Sequence, residues 1–477
     1  MIDNSKLRVC YPGVYTEAEQ AAIDRYKRGE CEAAIPAAVS KISTDPWVMQ
    51  LYARCWDRWN PLFNDPEYAK NTVWGNLPAV PGYVTMETRS SIPEELGAQM
   101  RPDGTTYIGD GYDHEDLYFK PVFPGDTLTA KNTGWDIIDI TDPEGSIKRR
   151  MIFIDECEVY NQNGELVAKS IRRWPETLRI SDDPETMDAL WGEAPGDVAA
   201  KHGKSDKAPG AMPKQPPKGA GGPGGPGGEG PDGEKKAPPP MMGLNNRHKA
   251  HKMTKEDYDI FVDIWKNEKI RGADTLYWED VNIGDEPQPI ASPPQYDREI
   301  FRTMAAWQIM KDTNGLKEVL SGTGGDPHFF PYNEETGLYG GGDGHIGTGG
   351  GIAYLYNFHA KLLGTRLITN WCGDEGFVTK LGWRFVNDAP KEEQFNHFPE
   401  GFYRPTELLK VPYMKDRYAN IHGYGDDAFI TRGYVYDKYV GEDGGHYVDL
   451  ICWCEDLDGN IGQEIPATVK LPSRGDK

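Results

Sequence analysis

Two glycine-rich stretches in the second half of the chain carry side chains that can move protons. In SGTGGDPHFFPYN (Ser321–Asn333), Asp326 and His328 flank Pro327. Proline pushes the residue before it out of helical geometry, so Asp326 is expected to be extended. If His328 is extended too, both side chains point to one side and can hold a water between them. A carboxylate and an imidazole so placed supply general base and general acid, worth about 10²–10⁴ in rate, and the imidazole titrates near neutrality. His345, in GGGDGHIG, is a second candidate for this role, with Asp343 as its orienting carboxylate. Just beyond it Gly349, Gly350 and Gly351 open an apolar-periodic segment. Free N–H groups at a helix start carry partial positive charge, so these glycines are expected to receive a developing oxyanion, about 3–4 kcal/mol per donor. Plainer readings stand beside these: a turn that merely contains Asp and His, and glycines that let a helix approach a sheet.

The elements that must position these groups are a helix and antiparallel strands. Ile352, Leu355, Tyr356, His359, Leu362 and Leu363 recur at three- and four-residue intervals, which predicts a helix over 347–364 with Thr348 as N-cap and Gly364 as its stop. His359 falls on the apolar face and reads as a core histidine. The first half ends in two strands around Asn161–Gly164, and the second in three strands that turn at Gly441–Gly445 and at Asp458–Gly459. A helix wrapped by such a sheet buries both partners, so the class is α+β. Cys452 and Cys454 lie two apart in an alternating run and read as core residues on one strand face.

A length of 477 residues suits two domains and a linker. The Gly/Pro-rich stretch containing GAGGPGGPGGEGPDGEKKAPPP has too few apolar side chains to offset its ordering entropy. It divides the chain into 1–191, a flexible or extended linker over 192–245, and 246–477. The basic string NNRHKAHK that follows reads as a solvated linker end. With 52 Lys+Arg against 75 Asp+Glu, the net charge of -23 argues against nucleic acid and anionic membranes as partners. No apolar run approaches a bilayer span and the N-terminus lacks a signal-peptide core, so a cytoplasmic location is expected. The 7 scattered cysteines read as reduced thiols. The 10 His show no zinc spacing, and GTGGDPH lacks the Lys-Ser/Thr of a P-loop, so neither a metal nor a nicotinamide cofactor is expected.

RWNPLFNDPEYAKNTVWGNLPAVPGY (Arg58–Tyr83), YFKPVFPGDTLTAK (Tyr118–Lys131), YWEDVNIGDEPQP (Tyr277–Pro289), WCGDEGFVTKLGWRF (Trp371–Phe385) and the terminal DLDGNIGQEIPATVKLP occur in an order that resembles the MaoC-like hydratase/dehydratase group. The resemblance is to its version with two hot-dog folds in one chain. It implies reversible hydration of an enoyl-CoA or dehydration of a 3-hydroxyacyl-CoA, with CoA as part of the substrate and no other cofactor. It also implies a homo-oligomer or a hetero-oligomeric subunit. The family pattern has an Asp, an Asn-Pro and then a His. Here Asp57 precedes Asn60-Pro61, but Phe63 stands where the His is expected. A phenyl ring exchanges no proton, so the first half reads as a pseudo-site shaping an acyl cavity, with Asp57 capping or bracing its loop. In the second half Asp326 and His328 sit in a shortened register. Two other readings stay open: a hot-dog thioesterase, disfavoured because 347–364 holds no Asp or Glu, and a non-catalytic subunit that binds an acyl-CoA or a partner.

Overall fold

The computed structural model describes residues 3–30, 38–39, 42–55, 57–84, 101–102, 113–193, 254–292, 332–333, 338–339, 362–385, 407–414, 429–455, 457, 459 and 461–476. Several helices begin where an oxygen-bearing side chain precedes a proline or an acidic first turn. Asp45, Asn60 and Asp65 accept hydrogen bonds from the first amides of α2 (Pro46–Arg54), α3 (Pro61–Asn64) and α4 (Pro66–Lys70). Each of these helices starts on proline, which has no N–H to leave unsatisfied. Reciprocal capping boxes open α1 (Glu17–Lys27), through Thr16 and Glu19, and α6 (Lys255–Asn267), through Thr254 and Asp257. Between these two lies α5 (Pro184–Glu193).

The first half supplies strands β1 (Ala38–Val39), β2 (Arg101–Pro102), β3 (Asp113–Tyr118), β4 (Thr129–Asp139), β5 (Arg149–Tyr160) and β6 (Leu166–Arg179). The second supplies β7 (Ile290–Ser292), the small separate pair β8 (Tyr332–Asn333) and β9 (Leu338–Tyr339), then β10 (Phe377–Phe385), β11 (Phe429–Val440), β12 (His446–Glu455) and β13 (Ile461–Leu471). Apart from β8 and β9, all belong to one 11-stranded sheet ordered β1-β4-β5-β6-β3-β10-β13-β12-β11-β7, with β2 added on β6. The halves meet where β3 and β10 pair antiparallel, His114 opposite Trp383 and Asp116 opposite Leu381. Outward from that junction both sides run in one order: β3, β6, β5, β4, β1 and β10, β13, β12, β11, β7. With β2 set aside, each half thus repeats the same topology about the junction. Two hot-dog folds joined edge to edge describe this α+β arrangement.

The central helix of the second half, α7, is described over residues 362–372. It is buried almost all round: Leu362, Leu363, Thr365, Leu367, Ile368, Thr369, Asn370 and Cys372 are all inaccessible. That is the pattern of a helix inside a fold rather than on its surface. It shares one apolar cluster with Leu381, Leu450, Cys452, Ile465, Ala467 and Val469 of the sheet. Gly364 does not stop the helix, contrary to the sequence expectation. A Cβ there would stand 2.6 Å from Ile465 Cδ1, so the glycine allows close packing on β13. The helix ends at Gly373, whose φ of 70° suits a residue without a side chain.

The expected hairpins are present. Gly164 (φ 75°) closes β5–β6, Gly444 (φ 76°) closes β11–β12, and Gly459 (φ 81°) lies between β12 and β13. Strand β12 alternates between two cores: Leu450, Cys452 and Cys454 face α7, whereas Ile451 and Trp453 pack with Leu408, Val411 and Met414 on the other side. Cys452 and Cys454 are therefore core residues, as their spacing suggested.

Candidate functional site

Asp326, His328, Asp343, His345, Gly349, Gly350, Gly351 and His359 lie outside the described residues. What the structure does describe is the seam against which the first-half loop 57–74 packs. The loop is held from several sides. Tyr68 Oη donates to Asp374 Oδ2 at 2.7 Å, and Trp74 Nε1 donates to the Asp374 carbonyl at 2.6 Å. Asp374 stands one residue past Gly373, which ends α7, and its amide is fixed by the Gly272 carbonyl at 2.9 Å. Arg271 donates from Nε to the Trp371 carbonyl, which satisfies an orphan acceptor at the helix end. Loop 57–74 of one half is thereby clamped to the end of the other half's central helix.

A cleft of about 610 Å³, counted to its open mouth, lies along this seam. Phe63, Trp74, Val84 and Tyr118 face it from the first half, and Cys372 and Phe377 from the second. The walls are mostly apolar, with Pro78, Pro81 and Pro121 among them. Trp74 and Phe377 pack at 5.8 Å between ring centroids. Burial pushes the Cys372 thiol up to about 12, so it is a neutral wall residue rather than a nucleophile.

Behind the cleft a charged group is buried. Arg366 of α7 grips Glu268 through Nε and Nη2 at 2.8 and 2.6 Å, and Asn370 Nδ2 donates to the same carboxylate at 2.9 Å. Asp57, 1% exposed, places Oδ1 4.0 Å from Arg366 Nε, yet neither of its carboxylate oxygens has a hydrogen bond. Desolvation raises its pKa to about 6 against the pull of Arg366, and Glu268 adds to the rise. Of the expectation that Asp57 caps or braces its loop, the capping part is corrected here, while Asn60 amide groups still interact with its carboxyl. Asn60 is the cap of α3, and Asn64 Nδ2 braces the loop through the Asp57 and Asn60 carbonyls at 2.8 Å. The Asp57 side chain instead faces the other half. Glu268, Arg366 and Asn370 were not singled out from sequence. A lone arginine inside the apolar run LLGTRLIT was the available signal.

A second polar cluster lies on the central strands. Ser170 Oγ is 2.5 Å from His114 Nε2 and 2.9 Å from Asp116 Oδ1, and that Nε2 is itself 2.9 Å from Asp116 Oδ1. A nucleophilic triad needs the carboxylate on the ring nitrogen opposite the serine. Here both share one nitrogen, which is not that arrangement, and Tyr118 Oη also donates to Asp116 Oδ2 at 3.2 Å. Arg172 and Asp155 form a buried ion pair on the adjoining strands. Among the described residues no group of three or more His, Cys, Asp or Glu could hold a metal ion. No helix among them is long and apolar enough to cross a membrane.

The strand order defines a double hot-dog protein. Among solved structures, the chain is similar to a protein described as a MaoC-like dehydratase, with 11% identity over 92% of this chain and 99% of that one at TM-score 0.41. It is also similar to a putative MaoC domain protein dehydratase from Chloroflexus aurantiacus J-10-fl, with 12% identity over 93% of this chain and 96% of that one at TM-score 0.41. A third is a Mycobacterium tuberculosis protein described as having a double hotdog fold, with 11% identity over 91% and 96% at TM-score 0.36. No protein-family model matches the sequence, and no curated protein matches it.

Proposed function

We propose that the chain is a hydro-lyase that adds water to an enoyl-CoA, or removes it from a 3-hydroxyacyl-CoA, with the acyl group held in the seam cleft. The observation that carries this reading is the cleft itself. It is apolar, lined by proline and aromatic side chains, and bounded by Leu62 and Phe63 of the loop that carries Asp57. Phe63 in its wall removes a proton-transfer group from the first half and leaves an apolar surface for an acyl chain. The chemistry is then assigned to the second half. Asp326 with His328, or His345 in its place, would take a proton from water as oxygen bonds to the β-carbon and return one to the α-carbon. Gly349, Gly350 and Gly351 would donate to the thioester oxygen while it carries negative charge.

The same reading keeps CoA as part of the substrate, with no metal or separate cofactor. It keeps the division at 1–191, 192–245 and 246–477, a cytoplasmic location, and assembly as a homo-oligomer or within a hetero-oligomer. Its test is the disappearance of the enoyl chromophore when the protein is mixed with a panel of enoyl-CoA esters. His328→Ala should abolish turnover with little change in stability. Full activity in both His328→Ala and His345→Ala would defeat the assignment.

One observation favours a second reading, a non-catalytic subunit that uses the cleft to bind an acyl-CoA or a partner: Phe63 is built into the wall and Cys372 is inert. Retention of acyl-CoA by a protein inactive on the whole panel is its expected result. Continuation of α7 to Cys372 adds no Asp or Glu to the central helix, so a thioesterase remains the weaker alternative. Release of free thiol from a saturated acyl-CoA is the outcome that would favour it.

A further inference from the structure

A carboxylate sealed from water needs donors or an opposite charge, because an unpaired buried anion is among the costliest groups a fold can hold. Asp57 has neither in full. The charged groups facing it are Arg366 from α7 and Glu268 from the turn after α6, and Arg366 is already committed to Glu268 by two hydrogen bonds. The three groups together carry one negative charge too many. The surroundings are rich in acceptors: buried Asn370 Oδ1 and Asn64 Oδ1 also lack a hydrogen-bond donor. Asn60 amide groups draw the carboxyl down slightly, without completing a well-formed hydrogen bond to it. A proton on Asp57 cancels the surplus charge and turns one of its two unpartnered acceptors into a donor.

We propose that Asp57 is a proton-binding site in the seam, and that gain or loss of this proton sets how tightly loop 57–64 closes against α7 and thereby the width of the cleft. The link to the cleft is structural. Leu62 and Phe63 stand in its wall on the loop that carries Asp57, and Thr369 and Cys372 stand in it on the helix that carries Arg366 and Asn370. Because Glu268 keeps Arg366, ionised Asp57 must admit water between the loop and the helix, which parts them. Whatever occupies the cleft when it is closed then binds more tightly at low pH, by reciprocity of coupled equilibria. This holds for any cleft ligand and does not depend on the hydro-lyase reading.

The sign follows from the raised pKa. The folded protein holds this proton up to a pH of about 6, against 3.8 for an aspartate in water. The stabilisation is therefore fully present below about 3.8, declines as pH rises, and is lost above about 6. The gap of roughly two units corresponds to about a 100-fold change in the folding equilibrium constant.

The test uses the full chain without substrate. Hydrogen exchange of the peptides covering 57–64 and 362–372 is measured at pH 5.0 and 7.5, corrected for intrinsic exchange, alongside urea unfolding. Wild type should lose protection in both segments at pH 7.5. Asp57→Asn, a neutral near-isostere, should keep protection at both pH values and gain up to about 100-fold in its folding equilibrium constant over wild type at pH 7.5. Glu268→Gln, which frees Arg366 to turn toward Asp57, should move the transition to lower pH. The proposal is overturned if wild-type protection is the same at both pH values. It is also overturned if Asp57→Asn is less stable than wild type at pH 7.5, or if Glu268→Gln moves the transition upward. Should Asp57→Asn fail to fold, the wild-type exchange and the Glu268→Gln arm still decide.

Discussion

Tyr68 and Asp374, 306 residues apart in the chain, are joined by a 2.7 Å hydrogen bond that fastens loop 57–74 of one half to the end of the other half's central helix. Asp374 is 4% exposed, and the bond to Tyr68 offsets part of its burial. Removing the phenol leaves that carboxylate short of a donor, at a cost of about 1–3 kcal/mol. Tyr68→Phe is therefore expected to lower the urea midpoint without changing the slope. A midpoint equal to wild type would mean that the bond holds nothing.

Gly364 makes a prediction opposite in sign to helix propensity. Alanine is favoured over glycine in a helix by about 1 kcal/mol, but a Cβ at 364 would press on Ile465 at 2.6 Å. Overpacking of this kind costs about 1–3 kcal/mol. Gly364→Ala should be neutral to destabilising in thermal unfolding, and adding Ile465→Val should recover part of any loss. A clear rise in Tm for the single variant would show that the sheet yields to the methyl group.

The cleft can be filled from a position at the edge of the main apolar core. Ala79 lies in its lining and is only partly buried. Ala79→Trp should leave the unfolding midpoint near wild type and weaken acyl-CoA binding by more than tenfold, read by calorimetric titration. Undiminished binding in a stably folded variant would place the acyl site elsewhere.

Arg172 and Asp155 are 5% and 2% exposed, so neither charge has water to fall back on. Arg172→Ala should cost about 3–5 kcal/mol because it strands the aspartate. Replacing the pair with Met and Leu should be much milder than the single change. If the double replacement is as damaging as the single one, the other contacts of Arg172 outweigh the ion pair.

The hairpins at Asn161–Gly164, Gly441–Gly445 and Asp458–Gly459 were legible because turn chemistry and alternation agree there. The junction of the halves was not. Strand β3 reads Asp-His-Glu-Asp-Leu-Tyr, which looks like a solvated segment, yet it lies mid-sheet with His114 and Asp116 buried in a local polar network. Alternation on β4 is hidden by Lys131, Asn132 and Gly134, where the register also shifts. The extent of α7 was misread because glycine usually ends helices, whereas at 364 it serves contact with β13. At the seam, Asn60-Pro61 and Phe63 stood out by motif. Glu268 and Arg366 did not, because their pairing joins residues 98 apart in sequence and no local pattern encodes it.

The antiparallel pairing of β3 with β10 has a consequence for any attempt to cut the molecule in two. Either piece alone would expose a row of unpaired main-chain amides and carbonyls along its inner strand, a template for another chain. The handiest partner in solution would be a second copy of the same piece, giving assemblies of like with like. A covalent tether makes the unlike encounter intramolecular and raises its effective concentration, so one polypeptide enforces a match that two separate products would have to find by collision.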